Sequence, residues 1–366
     1  MSNSERLSKT VLKRADISTR ESQAIDLEGR YQQIIGAIAK QIGFIPQQEL
    51  GKSRWWGKKV GAVLYKGHFP VDDEQRSAVL KIEAVKLEPD EIAEPAMIHL
   101  AEQALAGSGI RPPKIYGNIP WSDEHGGYAA IIMEDVPTDS LILPLPGTEQ
   151  DIAAMMDVRR MYRDTLKRNQ ITPWVAKEFQ DDTDNLSRYV TTKFSSWKQT
   201  ARKIFPDHPF REPGDDQLID RAVTLLEKGY RGVALEFQQA HFSHRDVVRV
   251  GDEIVMFSNL YWDWRAPFYD AVFPSHWYMY DLAQQPGVTT TQLQQQKALW
   301  EYQYKEFTAS LSPEDKRLFA LARLERFAAG LNLDALSVSD DPSNEIARYI
   351  VKQTRKDLTE ALIHNT

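Results

Sequence analysis

AHFSHRDVVRVGDEIVMFSNLYWDWRAPFYD, residues 240–270, is the stretch on which the reading of the whole chain turns. Two short apolar runs, VVRV (247–250) and EIVMF (253–257), flank Gly251-Asp252, a pair suited to a two-residue hairpin turn. His241, His244 and Asp246 stand just before this hairpin, and Asn259 and Asp263 just after it. A metal site here would need a further ligand, for which His276 is the remote candidate. The expected arrangement is instead a His241 satisfied in the core and a His244 on the surface. Between 261 and 280 lie nine aromatic residues, Tyr261, Trp262, Trp264, Phe268, Tyr269, Phe273, Trp277, Tyr278 and Tyr280. Most are expected in a core, since each such ring buries about 150–250 Å². Arg265 and Asp270 are expected to form an ion pair that fixes the loop.

Toward the N-terminus the pattern is strand-rich. YQQIIGAIAKQIGFI (31–45) has apolar residues at helical spacing, KKVGAVLY and SAVLKIE (77–83) suit strands, and KGHFPVDDEQR between them reads as a turn. AMIHLAEQAL is a helix stopped by GSG (107–109), and RPPKIYGNIP and GYAAIIMEDVP are two further strands. The predicted order is three strands, a helix and two strands. The strand Val79-Leu80-Lys81-Ile82 ends near a lysine and precedes a helix with an early Glu94, a combination that serves phosphate handling: the lysine reaches phosphates and the carboxylate holds it in place.

Beyond Pro137 the patterns are mostly helical, over 148–166, 217–240, 291–309, 313–330 and 343–363. The expected division is an arm and helix over 1–43, a sheet-rich lobe over 44–140 and a helical lobe over 141–366. The chain has 366 residues with 42% hydrophobic and 27% charged, proportions of a globular protein. Its formal charge of −7 gives no overall basic field for nucleic acid. With no cysteine, disulfides, thiolate metal sites and cysteine nucleophiles are excluded. No apolar run approaches the ~18 residues of a membrane span, and the polar N-terminus lacks the apolar core of a signal peptide. The chain is expected to be cytoplasmic, with neither a nucleic-acid nor a membrane partner.

On Lys81 in VLKI, Glu94 in EPAMIHLAEQAL, the hinge-like IIMEDVP and the late block WRAPFYDAVF, the sequence resembles the protein-kinase-like superfamily, on its aminoglycoside and choline phosphotransferase side. The resemblance covers roughly 45–285. It implies an α+β bilobal fold, with a small antiparallel-sheet N-lobe and a larger, mostly helical C-lobe. It also implies ATP as cofactor, held by Lys81 and Glu94, with the adenine edge on the backbone of Glu134 to Val136. The glycine-rich loop of such families is not matched. In its place stands GKSRWWGKKVG (51–61), basic and carrying Trp55 and Trp56.

Phosphoryl transfer in this superfamily uses an aspartate that positions the acceptor hydroxyl, an asparagine five residues later on magnesium, and a metal-binding aspartate after the hairpin. Two registers fit. In one, Asp246 and Asp263, 17 residues apart, are the two aspartates, but Gly251 stands where the asparagine belongs. The other anchors on the hairpin and on WRAPFYD. His241 then takes the histidine position, Ser243 the catalytic aspartate and Val248 the asparagine, while Asn259 falls at or next to the metal aspartate. This second register is preferred, and it replaces every acidic or amide group that would hold magnesium, so magnesium is in doubt. Two functions follow. One is a pseudokinase with impaired catalysis, possible nucleotide binding and an unidentified protein or small-molecule partner. The other is an active small-molecule kinase that uses Asp246 and Asp263.

Overall fold

The computed structural model describes residues 29–55, 59–83, 94–123, 126–137, 140–175 and 185–364. They fall into two compact units, one from the described parts of 1–140, 165–176 and 248–260, the other from those of 141–164, 177–247 and 261–366.

The first unit is built on a five-stranded antiparallel sheet of order β1-β2-β3-β6-β5, made from Ile45–Trp55 (β1), Lys59–Val71 (β2), Glu74–Glu83 (β3), Ile115–Asp123 (β5) and Gly126–Glu134 (β6). Helix α1, Tyr31–Ile42, lays Ile34, Ile35 and Ile38 on one face of it, against Val63, Ala78, Leu80, Ile82 and Ile132. The helix stops at Gly43, whose φ of 74° suits glycine and whose amide donates to the Ala39 carbonyl. Side chains alternate along a strand, so Val79 and Lys81 point to the face opposite Leu80. The segment 66–76, expected as a turn, is mostly strand: only Asp72 and Asp73, at φ of 52° and 64°, make the hairpin. Gly67 on β2 is required by close approach, because a Cβ there would collide with the Ile45 carbonyl and the Phe44 ring. Helix α2, Glu94–Ala104, follows, and then a three-stranded sheet in which Ile110–Arg111 (β4) pairs in parallel with Glu253–Met256 (β9) beside Val247–Val250 (β8).

The second unit is mostly helical. Its helices are Glu149–Arg168 (α3, whose last turn is counted with the first unit), Asn185–Ile204 (α4), Asp215–Gly229 (α5), Tyr269–Ala283 (α6), Thr290–Ala309 (α7), Pro313–Ala329 (α8) and Glu345–His364 (α9). The apolar stripe read as one helix over 217–240 is interrupted: α5 ends at Gly229, and Glu236–Gln239 (β7) is a strand paired with Trp262–Arg265 (β10). Of the nine aromatic residues after 260, Trp262, Tyr269, Phe273, Tyr278 and Tyr280 are buried. The expected Arg265–Asp270 pair does not form. Arg265 turns to Asp263 at 2.5 Å, while the buried Asp270 is claimed by Arg159 at 2.8 Å and by the Tyr162 hydroxyl. The carboxylate nearest in sequence captured the guanidinium, and α3 offered Asp270 a better-buried cation. Among the described residues no helix is long and apolar enough to cross a membrane.

Candidate functional site

In the first unit, Lys81 Nζ lies 2.6 Å from Glu94 Oε2, the ion pair expected from the strand-to-helix order. Glu94 is buried in the first turn of α2, where a carboxylate also meets the positive end of the helix dipole. Strand β6 runs beside β3, pairing Met133 with Val79 and Glu134 with Ala78, and brings the chain to 134–136. Glu134 is structural in its side chain. Its carboxylate accepts from the Arg111 guanidinium and, at 2.9 Å, from the Lys114 amide, while Arg111 Nε reaches Glu253 at 2.7 Å. The two carboxylates hold the Arg111 pKa up although burial opposes them. The Glu134 amide donates to the Lys114 carbonyl. Asp135 turns back to Lys66 at 2.5 Å and Ser77 at 2.7 Å, which keep it ionised below the usual carboxylate range against the effect of burial. Val136 is different: it is buried, and among the described residues nothing hydrogen-bonds to its backbone.

In the second unit, residues 243–246 form a short 3-10 turn that closes on itself. Asp246 Oδ2 accepts from the Ser243 hydroxyl and, at 3.3 Å, from the Ser243 amide, a reciprocal cap. The same oxygen is 3.1 Å from His241 Nδ1. The histidines are placed the opposite way to expectation. His241 is 36% exposed, gripped between the rings of Tyr261 and Phe273, and His244 is 0% exposed. Asp246 drew His241 outward to a surface-accessible pair, and Tyr278 and Asp281 enclose His244. Burial and the neighbouring Arg245 push the His244 pKa down to about 3, whereas burial and the charge of Asp246 push Asp281 up to about 6. His276, the remote metal candidate, is buried against Asp334 and Arg326.

Val248 is a buried apolar residue of β8. Asn259 is buried and its Nδ2 donates to the Met256 carbonyl at 2.8 Å. Asp263 sits on β10, with Oδ1 taking the Trp264 amide at 2.8 Å and Oδ2 taking Arg265. The Trp55-Trp56 loop falls partly on 56–58, outside the described residues.

No protein-family model and no curated protein matches this chain. Solved structures do. The choline kinase of Cryptosporidium parvum Iowa II matches with a TM-score of 0.52 at 13% identity, over 91% of this chain and 97% of that one. The chain has the protein-kinase-like fold. A glucosamine kinase solved with glucosamine, ADP and inorganic phosphate matches at a TM-score of 0.48 and 12% identity, over 85% of each chain. The GDP complex of aminoglycoside 2'-phosphotransferase-IIIa matches at 0.40 and 10%, over 92% of this chain and 98% of that one.

In a kinase-like fold magnesium is held chiefly by oxygen ligands, carboxylates above all. The first register keeps two carboxylates, Asp246 and Asp263, and the second keeps none. Val248 has no donor atom, Asn259 brings no charge, and both oxygens of Asp263 already accept internal hydrogen bonds. Among the described residues no group of three or more His, Cys, Asp or Glu is placed to hold a metal ion. Sequence reasoning missed the Arg111 brace between Glu134 and Glu253, whose only signal was an arginine opening a run taken as a strand. It missed Asp281 because helix α6 was hidden behind its aromatic residues and Pro274.

Proposed function

We propose that the chain is a kinase-like nucleotide-binding protein in which metal-dependent phosphoryl transfer is impaired. Its cofactor is ATP, bound by the first unit through Lys81, Glu94 and the backbone of 134–136. The observation that carries this is the Lys81–Glu94 ion pair, on the strand that β6 accompanies toward Val136.

The impairment is supported by what occupies the transfer positions. Ser243 carries no charge and gives its hydroxyl to Asp246. Val248 cannot bind a cation, and Asn259 spends its amide on the chain that precedes it. The alternative, an active kinase using Asp246 and Asp263, gains no support, because these carboxylates serve a cap, an imidazole and an arginine.

Isothermal calorimetry with ATP tests the binding claim. The wild-type chain binds, and Lys81→Met, which keeps the length of the side chain and removes its charge, loses at least tenfold in affinity. Equal affinities for the two proteins would sink the assignment of Lys81.

A further inference from the structure

The sheet face that carries Lys81 is already covered at one place. Val79, Ile131 and Met133 form an apolar patch there, distinct from the core under α1. Val79 and Met133 are paired across the ladder, and three residues beyond Met133 the chain reaches Val136. A flat base whose edge meets the Val136 backbone, and whose phosphates reach Lys81, must therefore lie across this patch. Phe257, Leu64 and Ile115 pack against it, and of the three only Phe257 is aromatic.

The position of Phe257 is built into the turn that follows β9. Ser258 takes a left-handed φ of 57°, which a residue with a Cβ seldom adopts. Asn259 locks that turn through its side-chain bond to the Met256 carbonyl, 2.8 Å long. The tie runs from the residue just before Phe257 to the second residue after it. The strained backbone and the amide tie hold the aromatic ring at the sheet face.

We propose that Phe257 is an internal plug of the purine slot, so that a purine nucleotide enters only when the ring swings off the Val79–Ile131–Met133 patch. The inference rests on the nucleotide-binding reading above. When only a fraction of molecules is open, the apparent dissociation constant is the intrinsic one divided by that fraction. Removing the ring raises the open fraction and tightens binding. The gain belongs to the base, so it appears equally for a ligand without phosphates.

The test is calorimetric titration of ATP and of adenosine into the wild type, Phe257→Ala, Phe257→Leu and Lys81→Met, each checked for folding by circular dichroism. Phe257→Ala is expected to tighten both ligands about tenfold or more, with Phe257→Leu between it and the wild type. Lys81→Met weakens ATP and leaves adenosine unchanged. If Phe257→Ala does not fold, Phe257→Leu carries the comparison, and its failure to tighten adenosine overturns the plug. Wild-type binding with unchanged or weaker affinity in the Phe257 variants also overturns the plug, because the ring is then a platform for the base, and leaves nucleotide binding standing. No binding of either ligand by any of the four proteins defeats both readings.

Discussion

At the scale of single residues, the loop before the hairpin shows how two histidines and two aspartates partition burial. His241 has Asp246 at one ring nitrogen and stays partly open to water. His244 is sealed, with its Nε2 3.4 Å from Asp281 and Arg245 binding that same carboxylate at 2.7 Å. The two sealed groups titrate in opposition. His244 resists protonation in the folded chain, its pKa falling to about 3, so it costs stability as pH drops below its unfolded value near 6.5. Asp281, raised to about 6, takes up a proton in the folded chain first, so it adds stability as pH falls from about 6 toward 4. Between pH 4 and 6 the two contributions offset. Asp281→Asn removes one of them. Relative to wild type, this variant is expected to lose stability steadily as pH is lowered from 6 to 4, by up to ~1.4 kcal/mol per pH unit, the slope of one uncompensated proton. Urea denaturation at several pH values reads it, and parallel curves for the two proteins would contradict the assignment.

At the scale of elements, the joint between α3 and the start of α6 is made by charge. Asp270 is buried with Arg159 and the Tyr162 hydroxyl, and Arg163 approaches to 3.9 Å. The two arginines hold its pKa below the usual range although burial pushes the other way. Asp270→Asn leaves the buried Arg159 guanidinium without a counter-charge, while Arg163 keeps Glu236. A loss of about 3–5 kcal/mol is expected in denaturant unfolding, and a change below 1 kcal/mol would show that the pair is solvent-screened. This joint also marks where the sequence ran out. WRAPFYD was legible as a block, but the partner of Asp270 is 111 residues away on another helix, and no local spacing reports such a distance. Lys81 and Glu94 were legible because a strand followed by a helix brings the two side chains together by local geometry. The helices Asn185–Ile204 and Tyr269–Ala283 were not read. The second is buried on nearly all sides and carries Pro274, so it shows no amphipathic period.

At the scale of the whole molecule, the α+β kinase-like fold was legible from the order of its elements and from two anchors, VLKI and WRAPFYD. The match to a choline kinase at 13% identity rests on that same architecture. The chemistry is harder to read than the fold, because three-letter similarity favours Asp246 and Asp263 while the hairpin favours Ser243, Val248 and Asn259. Hydrogen bonding does not separate the two sets, because Asp246 accepts from Ser243, Asp263 from the Trp264 amide and Arg265, and Asn259 donates to the Met256 carbonyl; the proposed choice rests on the hairpin. The central proposal is that this chain binds nucleotide without depending on a divalent ion. Ligand binding to the native state stabilises it by about 2.7 kcal/mol at a hundredfold excess over Kd. The direct measurement is the shift in melting temperature with ATP, in magnesium and in chelator, for the wild type, Asp246→Asn and Asp263→Asn. The account predicts a shift of the same size in magnesium and in chelator, retained in both variants. A large shift that requires magnesium and disappears in either variant would contradict it and establish a working kinase.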